Sequence, residues 1–265
     1  MNNCRNDLSN APQDYIDDIS KVNLRTQYLV PNPMHKDNFL QLKEQTPARL
    51  GSWHAGPRHL TSTLLRFRAD HSAAQDSVFS YVSDDFLKEC NLFTVNSMCK
   101  DKDEYITRPD LGRKINREGI ELIKMNCVKN PTVQIVAADG LSAASIEANL
   151  PDVMPAIIQG LEGDDISIGT PFFIRLSRVA TMDVVSEVTG AQVTCILIGE
   201  RPGLVTAQSM SAYIAYKATV GMLETRRTVV SNIHRNGTMP VEAGAYIADI
   251  IKLMLQKKAS GIELK

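Results

Sequence analysis

Apolar positions in the second half of the chain follow two patterns, unbroken runs and helical stripes. Residues 193–198 (Val-Thr-Cys-Ile-Leu-Ile) show no regular polar alternation, the habit of a parallel strand covered on both faces, and residues 133–138 form a second such run. A third segment, 169–179, has the apolar centre Phe172-Phe173-Ile174 followed by Arg175 and Arg178, which predicts a strand leaving the core for a polar rim. Residues 211–216 alternate small and large side chains as a half-buried strand does. Between these runs lie helical stripes. Ile115, Gly119, Leu122 and Ile123 share one face before Asn130-Pro131 turns the chain, and Ile247, Ile250, Ile251, Met254 and Leu255 share another. Strands alternating with helices predict an α/β domain with a doubly wound parallel sheet over residues 109–265.

Upstream the texture changes. Leu60, Leu64, Leu65, Phe67 and Val78 are spaced as on a helix, and no strand is expected before residue 132. A small helical domain is therefore predicted over residues 46–108. Gly56-Pro57 breaks the chain near its start, and Thr107-Arg-Pro-Asp-Leu-Gly112 forms the connection behind it. Residues 1–45 are polar, contain Pro12, Pro31 and Pro33, and show little periodicity, so they read as an N-terminal arm.

Candidate chemistry sits where the apolar runs stop. The run at 193–198 ends on Gly199-Glu-Arg-Pro-Gly203 and the run at 133–138 on Asp139-Gly140-Leu141-Ser142, so two strand ends carry glycine beside a carboxylate. Ligands of open α/β sheets gather at such carboxyl edges. Gly199 and Gly203 permit unusual dihedrals and close backbone approach, Glu200 supplies an acceptor, and Ser142 can cap a following helix with Glu147 as its counterpart.

Composition narrows the classes. A net charge of −1 with dispersed Lys and Arg gives no electrostatic case for nucleic acid, and Arg226-Arg227 is too short to track a phosphate backbone. No apolar stretch approaches the roughly 20 residues needed to cross a bilayer, and the start lacks the order of a secretion signal, so no membrane association is expected. Five cysteines (Cys4, Cys90, Cys99, Cys127, Cys195) without close pairs suit free, mostly buried thiols in a reducing cytosol, and no metal site is expected. Phosphate-loop, dinucleotide and nucleophile-elbow motifs are absent. His71 and His234 read as hydrogen-bonded structural residues, and Trp53 as a cover for its own domain's core. A ligand-shaped sheet edge without chemical apparatus suggests a subunit that holds something for another chain.

Eight blocks occur in one order: Gly56-Pro-Arg58; Leu64-Leu-Arg-Phe67 with Ala69-Asp-His-Ser72; Thr107-Arg-Pro-Asp-Leu-Gly112; Ala138-Asp-Gly-Leu-Ser142; Gly169-Thr-Pro-Phe-Phe173; Gly199-Glu-Arg-Pro-Gly-Leu204; Ser231-Asn-Ile-His234; and Lys258-Ala-Ser-Gly-Ile262. Together they closely resemble the small subunit, or light chain, of ethanolamine ammonia-lyase over about residues 46–262. The resemblance implies a Rossmann-like cobalamin-binding domain and adenosylcobalamin as cofactor. It also implies a hetero-oligomer in which a barrel-shaped large subunit converts ethanolamine to acetaldehyde and ammonia. This chain would then be a non-catalytic cofactor-binding subunit, cytoplasmic, with a bacterial microcompartment as a further destination. Transferred block by block, the cobalamin contacts fall on Val179, Glu200 and Val229, with Asp139, Gly140 and Arg201 as neighbours by position. Val229 departs from the cysteine found in family members. Two alternatives stay open: an assembly subunit without direct cofactor contacts, and a stand-alone enzyme using Asp139 and Glu200.

Overall fold

The two apolar runs lie side by side at the centre of a six-stranded sheet in the computed structural model, which describes residues 18–163 and 166–264. The chain divides into two units at Ser72 and Ala73. In the first unit, α1 (Lys36–Glu44) is followed by a minimal hairpin of β1 (His54–Ala55) and β2 (Arg58–His59). Helix α2 (Thr61–Phe79) then runs past the boundary. Of the predicted N-terminal arm, residues 1–17 lie outside the described residues. The buried Lys43 of α1 donates its ammonium to the carbonyls of Gln27 and Leu50, tying down the backbone before and after the helix. The helix read over 57–81 is present as α2, yet Leu64, Leu65 and Phe67 are 42 to 51% exposed, so the side chains that announce the helix are not its core. Trp53 is likewise 44% exposed, which corrects the expectation that it covers a core.

The second unit contains α3 (Asp84–Glu89), β3 (Phe93–Asn96), α4 (Lys102–Thr107), α5 (Pro109–Gly112), α6 (Arg117–Asn126), β4 (Val133–Ala138) and α7 (Ala143–Leu161). It continues through β5 (Phe172–Arg175), α8 (Thr181–Thr189), β6 (Val193–Gly199), β7 (Met210–Tyr216), β8 (Thr228–Ile233) and α9 (Pro240–Lys257). Strand order is β3-β5-β4-β6-β7-β8. The first four strands are parallel, while β7 and β8 are antiparallel to their neighbours, so the sheet is mixed where a parallel one is predicted. Strand β3 also corrects the expectation of no strand before residue 132. Its Phe-Thr-Val-Asn is too short and too mixed to show a period, and it pairs residue for residue with β5.

Alternate residues of the central strands feed two separate cores. Ile135, Ala137, Phe173, Cys195 and Leu197 pack against Ile146, Leu150, Val153 and Ile157 of α7 and Ile247, Ile251 and Met254 of α9. Val136, Ala138, Phe172, Ile174, Ile196 and Ile198 pack on the other face against Ile123 of α6 and Met182 and Val185 of α8. Each fully buried large apolar side chain contributes about 1.5–3 kcal/mol, so a strand covered on both faces is secured at every residue rather than every second one. Helix α6 ends at Asn126, four residues before the predicted Asn130-Pro131.

Candidate functional site

Loops from the carboxyl ends of β4, β5 and β6 converge on an open cleft of about 250 Å³. Its walls are Tyr105, Leu141, Val179, Ile198 and Tyr213, and its polar groups are Arg178, Glu200, Arg201 and Ser211. Helices α7 and α8, which follow β4 and β5, pack on opposite faces of the sheet, so the loops diverge here and leave a crevice. Close backbone approach forms its floor. Gly140 adopts φ +55°, and a Cβ built there would lie 2.3 Å from the Gly199 carbonyl. A Cβ on Gly199 would meet the Ser142 and Asp139 carbonyls at 2.3 and 2.4 Å. Close packing, and no positive φ, therefore explains Gly199, whereas a Cβ on Gly203 would meet only the Thr206 carbonyl at 4.0 Å and its φ is outside the left-handed region, contrary to expectation.

Each loop has its own anchor. Ser142 caps α7 by accepting from the Ser145 amide, and its hydroxyl donates to the Ala207 carbonyl, while Asn149 Nδ2 donates to the Gln208 carbonyl at 2.7 Å. The 200–209 connection is thereby fastened to α7. Glu147, expected to serve the cap, instead accepts from the Ser83 amide at 2.9 Å. Glu200 ties three strands together: Oε2 accepts from Ser209 Oγ at 2.6 Å, and Oε1 accepts from Ser211 Oγ at 2.5 Å and the Asn232 amide at 2.9 Å. A carboxylate offers about four lone-pair sites, and with two bonds on Oε1 and one on Oε2 roughly one site, on Oε2, is left for a ligand. His234 is held between Asn232 Oδ1 and the Asn236 amide, in line with a structural role.

On the β5–α8 loop, Arg178 stacks its guanidinium over Tyr105 at 4.2 Å and donates from Nη2 to the Tyr105 carbonyl at 2.8 Å. The Arg178 Nε is buried without a hydrogen-bond partner among the described residues. Burial raises the Tyr105 and Tyr213 phenols, with Arg178 opposing the rise at Tyr105 and Glu200 adding to it at Tyr213, so both remain neutral donors. The Tyr105 hydroxyl donates to the Ser177 carbonyl at 3.0 Å. The cleft can thus offer apolar contact, two guanidinium groups, one carboxylate direction and hydroxyls, the set suited to an amphipathic ring system bearing amides.

Of the residues assigned from sequence, Val179 and Glu200 line the cleft together with Gly140 and Arg201. Val229 is outside the lining, 45% exposed on the edge strand β8, directly opposite Tyr213 in the ladder. Asp139 is buried beneath the cleft rather than exposed in it, which removes it as a direct ligand contact. Sequence reasoning missed Tyr105, because α4 carries no apolar period of its own. It took Arg178 for a solvated rim residue and Tyr213 for a filler of a half-buried strand.

A family model for the ethanolamine ammonia-lyase light chain (EutC) matches residues 36–265. The chain is 62% identical over 251 residues to the ethanolamine ammonia-lyase small subunit of Clostridium tetani, covering 94% of this chain and 85% of that one. It is 59% identical over 250 residues to the small subunit of Listeria monocytogenes serotype 4a, with the same coverage. To the small subunit of Fusobacterium nucleatum it is 58% identical over 257 residues, covering 97% of this chain and 87% of that one.

Proposed function

Because this chain belongs to the ethanolamine ammonia-lyase light-chain family, we propose that its strand-end cleft grips adenosylcobalamin against a catalytic large subunit. The observation that carries this reading is the cleft itself: apolar walls, the Arg178 guanidinium and the Glu200 carboxylate at the carboxyl ends of the parallel strands of a mixed six-stranded sheet. An amphipathic corrinoid with amide arms fits such a lining, and Gly140 and Gly199 let the two strand-end loops pack closely enough to form one floor beneath it. The cleft is small for the whole cofactor, so it would receive one side of it, leaving the rest to the partner. When bound, the corrinoid supplies the radical chemistry that converts ethanolamine to acetaldehyde and ammonia. This chain's residues bind, orient and exclude water.

Val179 presses on the ligand from the β5–α8 loop, and Glu200 accepts from an amide or hydroxyl through its remaining Oε2 direction. Val229, opposite Tyr213 on β8, extends the apolar flank. No side chain here acts as acid, base or nucleophile in this reading. Filling the cleft tests it. In the two-chain complex, Val179→Trp is expected to weaken adenosylcobalamin binding at least tenfold with subunit association intact, read by absorbance titration. Unchanged affinity would move the site off this chain. The assembly-subunit alternative draws on the exposed Leu64, Leu65 and Phe67 of α2. It predicts that substitutions in the cleft leave cofactor binding untouched, while polar residues at those three positions release the partner.

A further inference from the structure

We infer that Asp139 and Lys102, a buried ion pair beneath the cleft, are positioning residues that hold the β5–α8 loop in its ligand-ready shape. The inference rests on the corrinoid reading of the cleft. Strand β4 ends by placing the Asp139 carboxylate, 1% exposed, under the start of that loop. Oδ2 accepts from the Leu176 amide at 3.0 Å and Oδ1 from the Ser177 amide at 3.2 Å, so one side chain satisfies two consecutive backbone donors. Leu176 itself adopts φ +54°, a left-handed conformation strained for a branched residue, so the turn needs these bonds to hold it. Arg178 and Val179, which line the cleft, follow immediately.

Lys102 completes the device. Its side chain is 4% exposed, and its ammonium lies 3.5 Å from Asp139 Oδ2 and over the rings of Tyr81 and Tyr105 at 5.2 and 5.6 Å. Its Nζ has no close hydrogen-bond partner among the described residues, so its charge at 3.5 Å is its main contribution to Asp139. Burial pushes the Asp139 carboxyl upward, and Lys102 with the two amide donors pulls it back toward the ionised form that can accept twice. Tyr81, Tyr105 on the same helix as Lys102, and Arg178 from the loop are the next titratable or charged groups. The remaining braces converge on the same turn: Tyr105 Oη to the Ser177 carbonyl, and the Arg178 amide to the Gly112 carbonyl at 2.8 Å.

Removing the cation while keeping the carboxyl is the informative change. In the two-chain complex, Lys102→Met is expected to weaken adenosylcobalamin binding at least tenfold at neutral pH. The pH at which binding is half recovered should move upward by at least one unit, because the carboxyl must ionise unaided. Asp139→Asn, which offers an acceptor to one amide only, is expected to weaken binding at every pH. In the ligand-free complex it should speed hydrogen exchange of the Leu176 and Ser177 amides at least tenfold. A uniform loss in Lys102→Met with no shift of pH profile would reduce the pair to general stabilisation and overturn the inference. So would unchanged exchange at Leu176 and Ser177 in Asp139→Asn. If Val179→Trp abolishes binding while both pair variants bind as wild type, the positioning claim fails and the cleft stands. If Val179→Trp also binds normally, both fail.

Discussion

The buried charges of this chain differ in what surrounds them, and the difference decides what each can do. Asp139 is flanked by backbone donors and a lysine, whereas Asp183 on α8 meets the guanidinium of Arg227 at 2.7 Å, both side chains 3% exposed or less. Glu224 caps the same guanidinium from solvent. Burial raises the Asp183 carboxyl, with Arg227 pulling against it. Arg227→Met leaves that carboxyl unpaired, and breaking a buried pair from one side costs about 3–5 kcal/mol. The sign with pH follows. A carboxyl whose folded pKa stands above its unfolded one contributes stability at low pH that is lost as pH rises through the folded value. The variant is therefore expected to be destabilised more at pH 8 than at pH 5 in urea titrations of the full chain. Equal losses at both would show that Asp183 is not desolvated as described. The thiols obey the same physics: burial pushes Cys195 up to about 12 and Cys127 up to about 11.

At the scale of elements, α7 and α9 pack closely, and glycines stand at their contact. A Cβ on Gly244 would lie 2.5 Å from Ala156 Cβ and 2.7 Å from the Val153 carbonyl, and one on Gly160 would meet Ala248 Cβ at 2.6 Å. Glycine inside a helix costs about 1 kcal/mol relative to alanine, so propensity alone favours Gly244→Ala. Overpacking a rigid contact costs about 1–3 kcal/mol, and it outweighs that gain because one of the opposing atoms is backbone. Gly244→Ala is expected to lower the melting temperature by a few degrees in calorimetry, and a rise would mean that the helices can move apart freely.

The elements differ in how legible they are in the sequence. Strands β4 and β6 announce themselves because burial on both faces removes every polar alternation. Strand β3 leaves no such trace, being four residues long and held by its pairing with β5. The antiparallel direction of β7 and β8 cannot be read from a local period, since alternation is the same whichever way a strand runs. Glycine beside a carboxylate marks two of the loops that line the cleft. Arg178 and Tyr105 escape because their roles arise from stacking between segments about seventy residues apart, which no window of sequence contains.

Across the whole molecule, the account makes one demand: three loops that are far apart in the chain act as one surface. Residues 139–142, 176–180 and 199–213 share the cleft, yet each is fastened by a different anchor, Ser142 with Asn149, Asp139 with Lys102, and Glu200. A ligand seated there must slow opening of all three together. The most direct measurement is hydrogen exchange of the two-chain complex with and without adenosylcobalamin. The account predicts added protection in all three segments of this chain. Protection confined to the large subunit would contradict it.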